Sequence, residues 1–182
     1  KNPLEGLKLN PKEWLCYPAR VGPLLVLVYF PLSFFELGFS LSNLFELADE
    51  NDLKRKPDAV YVYGMPPEIA PSINGNETVF FEDKKNDIFI ASVPLKNEFA
   101  YFGYLKKMVL TLHNIIRMKN GFLPFHGAMV QITLRGKKPF STVILGDTGA
   151  GKSESLEALR SIASDEIKDL TVIADDMGSF SL

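Results

Sequence analysis

Ser141-Thr142-Val143-Ile144-Leu145-Gly146-Asp147-Thr148-Gly149-Ala150-Gly151-Lys152-Ser153-Glu154 decides what kind of chain this is. A short β-branched run over 142–145 leads the backbone into a glycine-rich loop, and residues 152–163 carry a helical pattern. Positions 146–153 satisfy the spacing glycine, four residues, glycine, lysine, serine or threonine. Glycines reach backbone angles closed to other residues, so successive N–H groups can turn inward on phosphate oxygens. The helix that follows adds its unpaired N–H groups and positive dipole end. Lys152 is expected to supply a mobile charge to the β and γ phosphates, and the Ser153 hydroxyl to ligate magnesium. The expected ligand is a nucleoside di- or triphosphate, held by Gly146, Asp147, Thr148, Gly149, Ala150, Gly151, Lys152 and Ser153.

Downstream, residues 170–174 predict a buried strand that ends at Asp175-Asp176. An aspartate at a strand end can face a phosphate loop across a parallel sheet. Of two adjacent carboxylates, one can hold magnesium while the other orients or deprotonates an attacking hydroxyl. Glu154 either joins the metal shell or complements the helix N-terminus. His126 immediately precedes a strand that starts at Gly127, whereas His113 sits on a long helix and reads as structural.

That helix is the clearest amphipathic segment: Phe102, Leu105, Val109, Leu112 and Ile116 recur at three- and four-residue steps, and Asn120-Gly121 ends it. Ala128, Val130, Ile132 and Leu134 then alternate with other residues at the period of a strand with one buried face. Further upstream the pattern predicts strands over 24–30 and 59–63, a short helix over 40–50 capped by Ser40 or Ser42, an exposed turn over 51–58, and a hairpin of 78–82 with 87–93. The apolar run 21–35 is broken by Pro23 and Pro31 and is shorter than the roughly twenty residues a bilayer-spanning helix needs.

At 46% hydrophobic and 23% charged residues, a chain of 182 can bury a substantial core without staples. A net charge of -2 supplies no field that would draw in a nucleic-acid backbone. The single cysteine, Cys16, excludes an internal disulfide and fits a reducing, cytoplasmic setting.

His126-Gly127, the loop ending in Lys152-Ser153-Glu154, and Ile173-Ala174-Asp175-Asp176 together resemble the bacterial HPr kinase/phosphorylase family, over residues 122–177. That family is related in fold to phosphoenolpyruvate carboxykinase. The resemblance implies an α/β, mixed-sheet P-loop domain of this type over residues 98–182, ending short of the family's downstream signature. An α+β N-terminal lobe, 1–97, precedes it. It also implies ATP-dependent phosphoryl transfer to a serine of a protein. Carried over by position, Lys152 would grip the transferred phosphate, Ser153 and Asp176 would attend magnesium, Asp175 would act as base, and His126 would stand beside it. Under the carboxykinase alternative the acceptor is a small organic acid and His126 binds a divalent metal, manganese included. A non-catalytic nucleotide sensor is the third expectation, and a homo-oligomer is compatible with all three. No nucleic-acid or membrane partner is expected. The step of 23 residues from Lys152 to Asp175 is long for the family, with 164–169 reading as an insertion.

Overall fold

The computed structural model describes residues 2–70, 75–147, 149–162 and 165–181, apart from the side chains of Ser153, Arg160 and Ile162. It is an α/β protein with a six-stranded mixed sheet and a four-stranded antiparallel sheet. Two compact units, Lys1–Ile116 and Arg117–Leu182, contain one sheet each. The sequence places the division ahead of the long helix, at 97/98; by contacts, most of that helix belongs to the first unit.

In the first unit β1 (Trp14–Val21) and β2 (Leu24–Pro31) form a hairpin turned at Gly22, whose φ is +57°. β3 (Glu46–Leu47), β4 (Ala59–Met65), β5 (Val79–Asp83) and β6 (Ile88–Pro94) complete a sheet ordered β3-β1-β2-β4-β6-β5. β2, β4 and β6 are parallel, and the flanking pairs are antiparallel. β4 is buried at all seven positions, which is why it reads as an unbroken apolar run rather than an alternating one.

One face of this sheet carries Val60, Val62 and Met65 under Leu4, Leu7, Trp14 and Ala70. The other carries Tyr61 and Tyr63, and α2 (Phe102–Lys119) belongs to it. The Tyr104 hydroxyl pairs with Thr78 just before β5, while His113 lies against Gly22 at the β1–β2 turn. Nine residues of helix rise about 14 Å, which matches about three strand spacings from β5 to β2. The helix therefore crosses the sheet and buries Leu105, Val109, Leu112 and Ile116.

The phenols on this face differ. Tyr63 donates to the Phe99 carbonyl at 2.6 Å, and burial pushes its titration up to about 12. The Tyr61 hydroxyl is fully enclosed and has no hydrogen-bond partner among the described residues. A buried, unmatched hydroxyl costs about 1–3 kcal/mol. Tyr61→Phe is therefore expected to leave the protein as stable as before or more so, by up to about 1 kcal/mol. A fall in thermal midpoint would mean that an internal water or a hidden partner satisfies the group.

The helix expected over 40–50 is displaced. α1 (Phe35–Phe39) lies earlier and passes into a 3-10 turn, Ser40–Asn43, before β3. The Ser40 and Ser42 hydroxyls donate backwards, to the Glu36 and Phe39 carbonyls, and so close the end of a helix instead of opening one. Gly38 fixes α1 on the sheet, since a Cβ there would lie 2.2 Å from the Phe30 ring.

In the second unit β7 (Phe122–Leu134) is the axis. β8 (Phe140–Leu145) pairs with it on one side, and β9 (Ile167–Ala174) and β10 (Met177–Ser181) pair with it end to end on the other. α3 (Lys152–Ile162) covers one face, packing Leu156 and Leu159 against Ala128, Val130 and Ile132. Residues 167–169, expected in an insertion, belong to β9. The mixed sheet expected here is in the first unit: every pairing in the second is antiparallel. No described helix is long and apolar enough to cross a membrane.

Candidate functional site

The 146–153 loop joins β8 to α3. Gly149 and Gly151 take φ of +79° and +81°, which only glycine adopts without strain, and a Cβ on either would meet nothing within 4 Å. At the loop's start the position is the reverse: a Cβ on Gly146 would lie 2.9 Å from that of Ala150. The loop thus curls over its first residue. Ala150 N–H closes a turn on the Asp147 carbonyl at 3.1 Å, and the Ser155 N–H and hydroxyl both donate to Gly151, starting the helix. Lys152 Nζ reaches back to donate to the Asp147 carbonyl at 2.8 Å. Thr148 lies outside the described residues, as does the Ser153 side chain; Glu154 is exposed in the first turn of α3.

The acids come in on the far side of β7. An aspartate pair facing the loop across a parallel sheet is the expectation, but both flanking strands are antiparallel to β7. Because β8 and β9 share that antiparallel partner, they run in the same direction; β8 ends opposite Gly127, and β9 ends opposite Met129, from where Asp175 and Asp176 carry the chain on to the level of Gly127. Gly127 pairs with Leu145 on one side and donates its N–H to the Asp176 carbonyl at 3.1 Å on the other. A parallel-like juxtaposition is reached with an antiparallel strand between, and two strand spacings set the gap at about 10 Å. Only glycine fits the middle position: a Cβ on Gly127 would lie 2.4 Å from the Ile144 carbonyl oxygen.

Asp175 and Asp176 occupy the junction between β9 and β10. Met177 N–H donates to the Asp175 carbonyl at 3.0 Å, forming a three-residue turn around Asp176, whose φ is +72°. This positive-φ form is rare and strained, and aspartate is among the few side chains that tolerate it. The Asp175 carboxylate accepts the Asp176 N–H at 2.9 Å, which steadies the turn. Asp175 is exposed and Asp176 half-buried.

His126 pairs with Met177 across the strands, and its Nε2 lies 3.7 Å from Asp176 Oδ1. The resemblance sets His126 beside Asp175; the imidazole lies against Asp176. Protonation of the imidazole makes that contact an ion pair. His113, read as structural, is buried on α2 against the β1–β2 turn. Among the described residues no three His, Cys, Asp or Glu side chains form a metal cage. A magnesium ion bound through one or two carboxylates and phosphate oxygens does not require one.

One contact of the second unit has no signal in the sequence. The Arg117 guanidinium lies 3.3 Å over the Phe122 ring and donates to the Ser179 hydroxyl at 3.2 Å. Nothing in residue spacing joins 117 to 179; the β7–β10 pairing does.

No family model matches this chain, and no curated protein matches it in sequence.

Proposed function

We propose that the Arg117–Leu182 unit binds ATP with magnesium and transfers its terminal phosphoryl group to a hydroxyl acceptor, as a P-loop domain of the HPr kinase and phosphoenolpyruvate carboxykinase type. The observation that carries this reading is the shared level of the glycine loop and the aspartate pair, on codirectional strands either side of Gly127. A gap of about 10 Å between the two strand ends is of the size that a bound polyphosphate spans.

The residues fit the ligand by chemistry as well. Backbone N–H groups at the start of α3, with two positive-φ glycines ahead of them, favour an anion. Lys152, whose ammonium now rests on a loop carbonyl in the open, can exchange that neutral acceptor for a phosphate oxygen, a stronger charge-assisted bond. Magnesium, when bound, offsets the charge spread over the phosphates, and Ser153 and Asp176 are the residues to hold it. Asp175, the more exposed acid, accepts the proton of the incoming hydroxyl. His126 contacts Asp176 and helps to fix its carboxylate.

Labelled ATP with serine-bearing phosphocarrier proteins, small hydroxy acids and a cell extract tests the reading. Label transferred to a protein supports it, and transfer to a small acid with manganese-dependent decarboxylation moves the chemistry to the carboxykinase side. Tight magnesium-dependent nucleotide binding with no turnover against any acceptor would reduce the unit to a sensor.

Asp175→Asn separates the two acids. The amide oxygen can still accept the Asp176 N–H, so the turn is kept, while the basic oxygen is lost. Transfer should fall by about 10²–10⁴-fold with nucleotide affinity nearly unchanged. A matching collapse in affinity, measured by calorimetry, would make Asp175 a metal or structural residue instead.

A further inference from the structure

We infer, independently of the nucleotide chemistry, that residues 2–9 are a detachable strap, latched by Asn2 to Asp83, which covers one face of the first unit's sheet and opens while the sheet stays folded. α2 crosses the face that carries Tyr61 and Tyr63. On the opposite face the strand registers set Leu27, Val60 and Ile90 in one row and Tyr29, Val62 and Ser92 in the next. Leu4 and Leu7 pack here, on Val60, Val62 and Met65, as do Trp14 and Ala70; no helical residue joins them.

The strap's backbone takes no rung of the sheet's ladder. Among the described residues its main-chain bonds are local, Glu5 N–H to the Asn2 carbonyl at 3.0 Å and Leu7 N–H to the Leu4 carbonyl at 3.1 Å, and Leu4 N–H donates to the Asn2 side chain at 2.9 Å. It therefore keeps its own shape without the sheet. Its one polar tie across the chain, among those residues, runs from Asn2 Nδ2 to Asp83 Oδ2 at 3.0 Å. The other oxygen of Asp83 accepts the Lys85 and Asn86 N–H groups, so the β5–β6 turn fixes this acceptor whether or not Asn2 is on it. Opening gives up that bond and the burial of Pro3 and of two leucines that are only half-buried. It is favoured by Ser92, whose hydroxyl on the covered face is 1% accessible and has no hydrogen-bond partner among the described residues. Water reaching that hydroxyl offsets part of the loss. Segments with so few buried contacts open far more often than the whole unit unfolds.

Native-state hydrogen exchange of the full chain tests this. Relative to their intrinsic rates, the Leu4, Glu5 and Leu7 amides should exchange at least about a hundredfold faster than those of β4, and low denaturant should hardly change them while it speeds β4. Asn2→Asp keeps an acceptor for the Leu4 N–H but sets a carboxylate against Asp83. Strap exchange should then rise about ten- to a hundredfold, the worth of a hydrogen bond to a charged group, while β4 stays protected. Acrylamide quenching of Trp14, the single tryptophan, should rise with it. Adding Asp83→Asn should reverse both changes, because the new amide can donate to the new carboxylate and Asn86 can turn its own amide over to accept. Strap amides that exchange only together with β4, an Asn2→Asp variant that unfolds or exchanges as the parent does, or a double variant that recovers nothing overturns the inference.

Discussion

Lys152→Ala is expected to lower phosphoryl transfer by at least about 10²–10³-fold, the effect of removing one donor from developing charge. Nucleotide affinity should fall roughly ten- to a hundredfold, since a hydrogen bond to a charged group is worth about 1.5–3 kcal/mol. Stability should hardly move: the ammonium donates to a single backbone carbonyl at an exposed site, and such surface changes stay within about 0.5 kcal/mol. Transfer kinetics, calorimetry and thermal unfolding of the same variant separate the three quantities. Unaltered transfer would remove the phosphate-loop reading altogether, whereas a large drop in melting temperature would mean that Lys152 holds the loop together.

Gly127→Ala should be the most damaging single methyl in the second unit. The added carbon would meet backbone, the Ile144 carbonyl, at 2.4 Å, so relief requires β7 and β8 to part. Overpacking of this kind costs about 1–3 kcal/mol, and here the upper end applies because no side chain can swing aside. The same parting would separate the loop from the acids, so nucleotide binding should fall with stability. Gly136→Ala is the control. Gly136 also has a positive φ, +71°, but open space around it, so the change costs only the strain of that conformation, about 1–2 kcal/mol, and should leave binding intact. Equal losses in both variants would show that Gly127 matters only as a flexible residue.

Much of this arrangement was legible in the residues. The α2 stripe from Phe102 to Ile116, the hairpin around 83–86 and the strand–loop–helix at 142–162 follow from periodicity and glycine placement, which are local. β1 was missed because Cys16, Pro18 and Arg20 on its more open side break the apolar alternation, and only its pairing with β2 makes it a strand. The 40–50 helix failed for a related reason: serines marked a helix boundary, but tertiary burial of Leu41, Phe45 and Ala48 decided which side of it was helical. In the site, the glycine loop and the acids were visible as motifs. Their relation was not, since antiparallel pairing to a common strand has no signature at either end.

Asp175 and Asp176 keep step with β7 because Ala174 lies opposite Met129 and Met177 opposite His126, with no residue gained or lost through the turn. Their distance from the glycine loop is therefore a property of the sheet's lattice and owes nothing to the length of chain from α3 to β9. Relatives could lengthen or shorten that connection freely and still bring the acids to the same place, so an alignment that counts residues between the two motifs would underestimate kinship.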